Sequence, residues 1–234
     1  MRRLTVIQHT SADYLGLMED HLEGRRIGFS YVRPFTEGVS VPRFNEIEDG
    51  LVLLGGGPWG AAGARDVPTL PEEVELTRAC LMHETPVLGI GLGAQILALA
   101  ADGSVEPAEL DFRIGQGARA SEGALNGFLP EAFPLPVYMR DRPVPPDYAG
   151  ILARDELGHP AVFQIGSNAL GISGHPGFKL AMAEDLIMEF EEAPAEPAAQ
   201  LDALRAAKTS IEDALVPVMT GIVQLMGWMK PKNS

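Results

Sequence analysis

Apolar positions along the first hundred residues follow two rhythms. Short continuous runs, "RLTVIQH" at 3–9, "IGFSYVRPF" at 27–35, "GLVLLGGGP" at 50–58 and "PVLGI" at 86–90, read as strands. The last two have the unbroken apolar character of strands buried on both faces of a sheet. Between them lie segments with apolar residues three and four apart. "SADYLGLMEDHLEG" at 11–24 predicts a helix capped by Ser11 or Asp13 and stopped by Gly24. "LPEEVELTRACLMHET" at 70–85 predicts another, with Val74, Leu76, Cys80 and Leu81 on its inner face. Pro71 lies in its first turn, followed by acids that the helix dipole favours. "GAQILALAADG" at 93–103 predicts a third. Strand and helix alternating over short connections imply a mostly parallel sheet with helices on both faces.

The pattern then changes. From about Val105 to Ile172 the chain is richer in Pro and Gly and holds short strand-like pieces, "LPVYMR", "AVFQIG" and "ALGIS". These predict antiparallel additions and long loops on the same domain. "HPGFKLAMAEDLIMEFEEAP" at 175–194 begins a closing helix. A domain over 1–192 is therefore expected, followed by a linker at 193–200 that contains Pro194 and Pro197. Beyond it, over 201–230, apolar residues fall at 201, 204, 211, 215, 218, 222, 225 and 229, and Lys208 interrupts the heptad series. This stripe has two readings: an arm that packs on a partner or a second copy, or a helix folded back on its own domain. Pro217 argues against one straight coiled coil.

Composition narrows the function. Eighteen basic against 32 acidic residues give a net charge of −14, a field that disfavours nucleic acid and anionic membrane surfaces as partners. The single cysteine, Cys80, excludes an intrachain disulfide and a multi-cysteine metal site. "MRRLTVIQHT" is not a signal peptide, and the apolar run at 215–229 falls short of a membrane span, so a cytoplasmic protein is expected. His9, His21, His83 and His159 have no metal-binding spacing and read as surface or capping residues. No metal and no cofactor are expected.

The candidate chemistry lies in "PVLGIGLGAQ". Gly89, Gly91 and Ala94 satisfy a permissive dinucleotide fingerprint, with Glu109 at about the distance of a ribose-binding acid. That fingerprint normally opens its fold, and "SVEPAELDFRIG" is not a strand ending in an acid, so the reading is weak. The alternative is a nucleophile elbow, a strand, sharp turn and helix that raise one side chain above the sheet. "LLGGGPWG" at 53–60 offers backbone donors toward the same crevice, and "GISGHPG" at 171–177 places His175 where a general base would stand. Gln95 is a polar residue on an otherwise apolar helix.

The order "GGGP", "PVLGIGLGAQ", "GISGHPG" resembles the class I glutamine amidotransferases, in which a G-x-C-x-G-x-Q elbow supplies a cysteine and a late H-P-E supplies the His and Glu of a triad. The resemblance spans most of 1–190. It implies a flavodoxin-like three-layer α/β sandwich with a mostly parallel central sheet, here with a C-terminal helical extension, and a site at the carboxyl ends of the strands. It places Gly91 at the nucleophile position, His175 at the catalytic His, Pro176 after it, and Gly177 at the triad Glu. Gly56 and Leu92 fall at the oxyanion donors, and Gln95 at the glutamine that helps to hold substrate.

Without a thiolate at 91 no γ-glutamyl thioester forms, and most of the family's acceleration is lost. Cys80, mid-helix among apolar residues, reads as a packing residue. Ser173, two residues before His175, shows no sign of reaching the elbow. Glu184 or Asp185 could orient His175 in place of Gly177. The expected function is a non-catalytic binding, regulatory or scaffold subunit. It would bind glutamine or a γ-glutamyl compound and assemble as a homo-oligomer, or with a partner protein, through 201–230. The alternative is a glutamine amidotransferase or γ-glutamyl amide hydrolase whose cysteine has been replaced by Gly91.

Overall fold

A computed structural model describes residues 2–229. The chain runs β1 (Arg2–Ile7), α1 (Met18–Gly24), β2 (Ile27–Val32), β3 (Leu51–Leu53), α2 (Leu70–Met82), β4 (Val87–Ile90), α3 (Leu92–Ala100) and β5 (Ser104–Glu106). It continues through β6 (Asp111–Arg119), β7 (Ala132–Met139), β8 (Arg142–Val144), β9 (Gly150–Asp155), β10 (Pro160–Ile165) and β11 (Ala169–Ile172). Two helices close it, α4 (Leu180–Glu189) and α5 (Pro197–Leu225).

One large sheet has the order β2-β1-β3-β4-β11-β10-β9-β6-β7, and β5 pairs β8 separately. The pairings β2-β1-β3-β4-β11 are parallel, and those from β11 to β7 are antiparallel. The switch at β11 reflects the sequence. Helical segments separate the first four strands and force crossovers, whereas β10 and β11 are joined by only a few residues, a length that allows only a hairpin.

Period-two alternation divides the buried side chains between two faces. Leu51 and Leu53 of β3 pack with Leu76, Cys80 and Leu97 of α2 and α3. Val52 joins Leu4, Val6, Leu22 and Leu215 on the opposite face, beneath α1 and α5. Helix α3 lies directly on the sheet, because a Cβ at Gly93 would collide with the Leu53 carbonyl. Three layers result, in an α/β fold.

Two helical expectations are corrected. The helix expected over 11–24 forms only from Met18. Neither Ser11 nor Asp13 caps it, because residues 8–17 form an ordered loop. Thr10 Oγ1 accepts from the N–H groups of Ala12 and Asp13, and Gly16 takes a left-handed φ of 61°. The closing helix begins at Leu180 rather than near His175.

Helix α5 begins at Pro197, inside the stretch expected as a linker, and runs through Pro217 without ending. Its Leu215, Met219 and Ile222 are buried with β7 residues Leu135 and Val137. Leu204 and Ile211 are buried against Phe178 and Leu186. Most of the stripe at 201–229 is thus covered by the chain's own sheet and helices, the folded-back alternative of the two readings. Among the described residues no helix is long and apolar enough to cross a membrane.

Candidate functional site

One residue, Gly91, separates β4 from α3, with φ 56° and ψ −114°. This is a strained backbone for any residue bearing a Cβ, and it is the kind of sharp strand-to-helix turn that projects a nucleophile. The Gly91 N–H donates to the Ile172 carbonyl at 2.9 Å, and its own carbonyl accepts from Ala94 N–H at 3.0 Å. A Cβ at this position would touch only Gly55 Cα, at an ordinary 3.4 Å. The sharp turn between β4 and α3 has room for a side chain, but carries none.

The Leu92 side chain packs against Gly56, where a Cβ would sit 2.5 Å from Leu92 Cδ2. Neither the Gly56 nor the Leu92 N–H has a protein acceptor among the described residues. The space beside Gly91 is small. Asp13, Gly55, Tyr138, Ser173, His175 and Phe178 close around Gly91 and leave a void of about 10 Å³, room for one water at most.

His175 reaches this crevice, yet both its nitrogens are engaged. Nε2 lies 2.7 Å from the Tyr14 carbonyl and Nδ1 lies 3.1 Å from the Gly177 N–H. The carbonyl must accept and the amide must donate, so the ring is held as the neutral Nε2–H tautomer, with its lone pair already used. Burial pushes its pKa down to about 4, against the hydrogen bond to the Tyr14 carbonyl and the residue's own backbone, which raise it. A general base needs a free lone pair facing the proton it takes, and His175 has none here.

Gly177 packs where the resemblance puts an orienting acid. A Cβ there would lie 2.9 Å from Met18 Cγ, 3.0 Å from the Met18 backbone nitrogen and 3.1 Å from the Leu15 carbonyl, so any side chain would push these neighbours aside. The Gly177 carbonyl also accepts from Leu17 N–H at 2.9 Å, tying the 8–17 loop to the His175 turn. Neither proposed substitute for the acid serves. Glu184 lies 3.7 Å from Arg205, and Asp185 is exposed.

The carboxylate that does reach His175 is Asp13, whose Oδ1 lies 3.9 Å from Nε2. Asp13 is 3% exposed, and its Oδ1 has no hydrogen-bond partner among the described residues. Burial raises its pKa to about 7; the neighbouring His9 opposes that rise and Glu189 adds to it. Helical spacing concealed this residue, because an acid near a helix start reads as a cap. Its position just beyond the carboxyl end of β1, where sites of open α/β sheets gather, was the signal available.

His9 is likewise not a surface or capping residue. It is 5% exposed, with Nε2 2.8 Å from Glu73 Oε2 and Nδ1 3.1 Å from the Gly55 carbonyl. Two acceptors require two N–H donors, so the ring is an imidazolium. Its pKa is raised although burial works against it, because the Glu73 carboxylate holds the proton. Thr69 Oγ1 donates to the other Glu73 oxygen at 2.6 Å. This buried pair fixes the glycine turn from behind.

Gln95 is fully buried, and its Nε2 donates to the Arg140 carbonyl at 2.6 Å. Arg140 Nε donates in turn to the Pro58 carbonyl at 3.0 Å and its guanidinium pairs with Glu192. Gln95 therefore joins the end of β7 to the "GGGP" turn. Ser173 lines the crevice, but its Oγ donates to the Pro160 carbonyl at 2.8 Å. Cys80 is enclosed between α2 and α3, where burial pushes its thiol up to about 12, an unreactive state. The strand after α3, β5, joins only the small two-stranded sheet, so the dinucleotide reading lacks its strand and acid. Among the described residues no group of three or more His, Cys, Asp or Glu could hold a metal ion.

The architecture and the elbow define the class I glutamine amidotransferase fold. The family model for glutamine amidotransferase class I matches residues 26–132, a span that holds the elbow and ends before His175. A glutamine amidotransferase from Thermotoga maritima is similar at 24% identity and a TM-score of 0.78, over 96% of this chain and 98% of that one. A glutamine amido transferase from Methylobacillus flagellatus is similar at 19% identity and a TM-score of 0.81, over 100% of this chain and 97% of that one. A chain of PurLQS from Thermotoga maritima is more distant, at 15% identity and a TM-score of 0.51 over 92% of this chain and 99% of that one. Among curated proteins no sequence matches.

Proposed function

We propose that this chain is a class I glutamine amidotransferase family member that has given up thioester chemistry and serves as a non-catalytic binding, regulatory or scaffold subunit. The observation that carries this reading is the state of His175. Its two nitrogens are spent on the Tyr14 carbonyl and the Gly177 amide, opposite an elbow with no side chain. Hydrolysis by the family route needs a thiolate and a base, and neither is present.

The crevice at Gly91 is too small for glutamine, but a pocket of about 230 Å³ adjoins it across Ser173. Arg113, Asp155 and His159 line it with both signs of charge, which suits a zwitterionic glutamine or γ-glutamyl compound. The PurLQS similarity supports a role beside partner subunits. Assembly as a homo-oligomer or with such a partner, in a cytoplasmic setting, belongs to this proposal.

The second reading is an amidotransferase or γ-glutamyl amide hydrolase silenced by one substitution. It is favoured by the open space that a Cβ at 91 would enter. Gly91→Cys separates the two readings. Ammonia release from glutamine is expected to stay at the level of the unsubstituted chain, because His175 offers no lone pair. Release at rates typical of a working glutaminase would overturn the non-catalytic reading.

A further inference from the structure

The chain has only four lysines, at 179, 208, 230 and 232. The two among the described residues line the same cavity, a groove of about 370 Å³ between α4 and α5. Its floor is apolar, formed by Leu17, Phe178, Leu204 and Ile211. Arg205 stands on its rim with Lys179 and Lys208. On a protein of net charge −14, this places positive charge around an apolar hollow large enough for a small ligand.

The cations are not equally committed. Arg205 is occupied by Asp202 at 2.6 Å and Glu184 at 3.7 Å. Lys208 meets Glu212 only at 3.9 Å. Lys179 has no carboxylate within 4 Å among the described residues, and its Nζ lies 5.7 Å from the centre of the Tyr14 ring. The one acid in the lining, Glu212, faces Lys208 at 3.9 Å and leaves Lys179 without a carboxylate, so the two ammonium groups over an apolar surface complement one ligand class: an aliphatic body ending in an anionic head.

We propose that this groove binds a small amphipathic carboxylate, with its chain on Phe178, Leu204 and Ile211 and its head between Lys179 and Lys208. The site is distinct from the elbow, although Phe178 forms a wall of both spaces. It does not depend on whether the elbow is catalytic.

The test is titration of the full chain with octanoate at fixed, moderate ionic strength, followed by calorimetry. Saturable one-to-one binding is expected, with octylamine and acetate binding far more weakly. Lys179→Met with Lys208→Met keeps both apolar stems and leaves the core untouched, and it should weaken octanoate by about tenfold or more, as two lost charge contacts allow. Ile211→Trp, verified as folded by circular dichroism, should block the groove outright. The proposal is overturned if octanoate does not saturate, if octylamine binds as tightly, or if the double lysine variant binds unchanged. It is equally overturned if only an acidic amphipathic peptide binds at these lysines, which would make the groove a protein-docking surface.

Discussion

Replacing Asp13 by asparagine removes a carboxyl group that the fold keeps dry and leaves without a partner on Oδ1. Its pKa rises from an ordinary 3.8 to about 7 in the folded protein, mainly through burial. A folded state that holds the proton more tightly than the unfolded chain is favoured at low pH. Stability is therefore lost as pH rises from 3.8 toward 7, and is level above that. At about 1.4 kcal/mol per tenfold change in ionisation constant, the raised pKa costs the native state about 4 kcal/mol at pH 8 and about 2 kcal/mol at pH 5, where the unfolded chain ionises and the folded carboxyl is still protonated. Asparagine has nearly the same shape and cannot ionise. Asp13→Asn should thus stabilise the protein, more at pH 8 than at pH 5, up to those amounts. His9 is coupled to Asp13, whose carboxylate helps to raise the His9 pKa, so the difference between variant and wild type reports Asp13 together with that coupling. Urea unfolding at the two pH values measures it. A variant no more stable than wild type at pH 8, or a gain equal at both pH values, would refute the reasoning. It would show that the Asp13 carboxylate is compensated in the crevice.

Other substitutions test the packing that shapes the site. Gly177→Glu should not restore a triad. Its Cβ meets Met18 and the Leu15 carbonyl, and forcing it in should cost about 2–4 kcal/mol by overpacking and by burying a carboxyl, read as a lowered urea midpoint. Met219→Ala, at a fully buried position of α5, should cost about 2–5 kcal/mol and lower the Tm by several degrees. A cost near zero in the dilute protein would mean that α5 does not pack on its own domain in solution.

The elbow and the loop after β1 explain each other. In an open site the loop would leave room for a substrate's side chain. Here Gly16 lies so close to Gly177 that a Cβ on it would strike the Gly177 carbonyl, and the loop carries Tyr14 and Asp13 onto the His175 turn. The resulting crevice is small because loop and turn bond to each other rather than to a ligand.

Much of the architecture was legible in the chain. Unbroken apolar runs such as Leu51–Leu54 and Val87–Ile90 can be satisfied only by strands buried on both faces. The glycines of "GIGLG" mark the sharp turn, since Gly89 and Gly93 allow the close approach of α3 and Gly91 takes a left-handed φ of 56° at little cost. That positions 91 and 177 both hold glycine is a fact of composition, visible before any coordinate. Long-range contact was not legible. Helical spacing at 11–17 could not show that Gly16 docks on Gly177, which breaks the helix and buries Asp13. Nor could it show that His9 meets Glu73 across 64 positions. The stripe on α5 suited a partner or the chain's own sheet equally well, because periodicity records which face is apolar and not what covers it. Local patterning determined the strands, the helices and the glycine turn between β4 and α3. Tertiary packing decided that His175 is a neutral, fully bonded ring, because the Tyr14 carbonyl that takes its Nε2–H comes from 161 positions away in the sequence, while the Gly177 amide that holds Nδ1 is local.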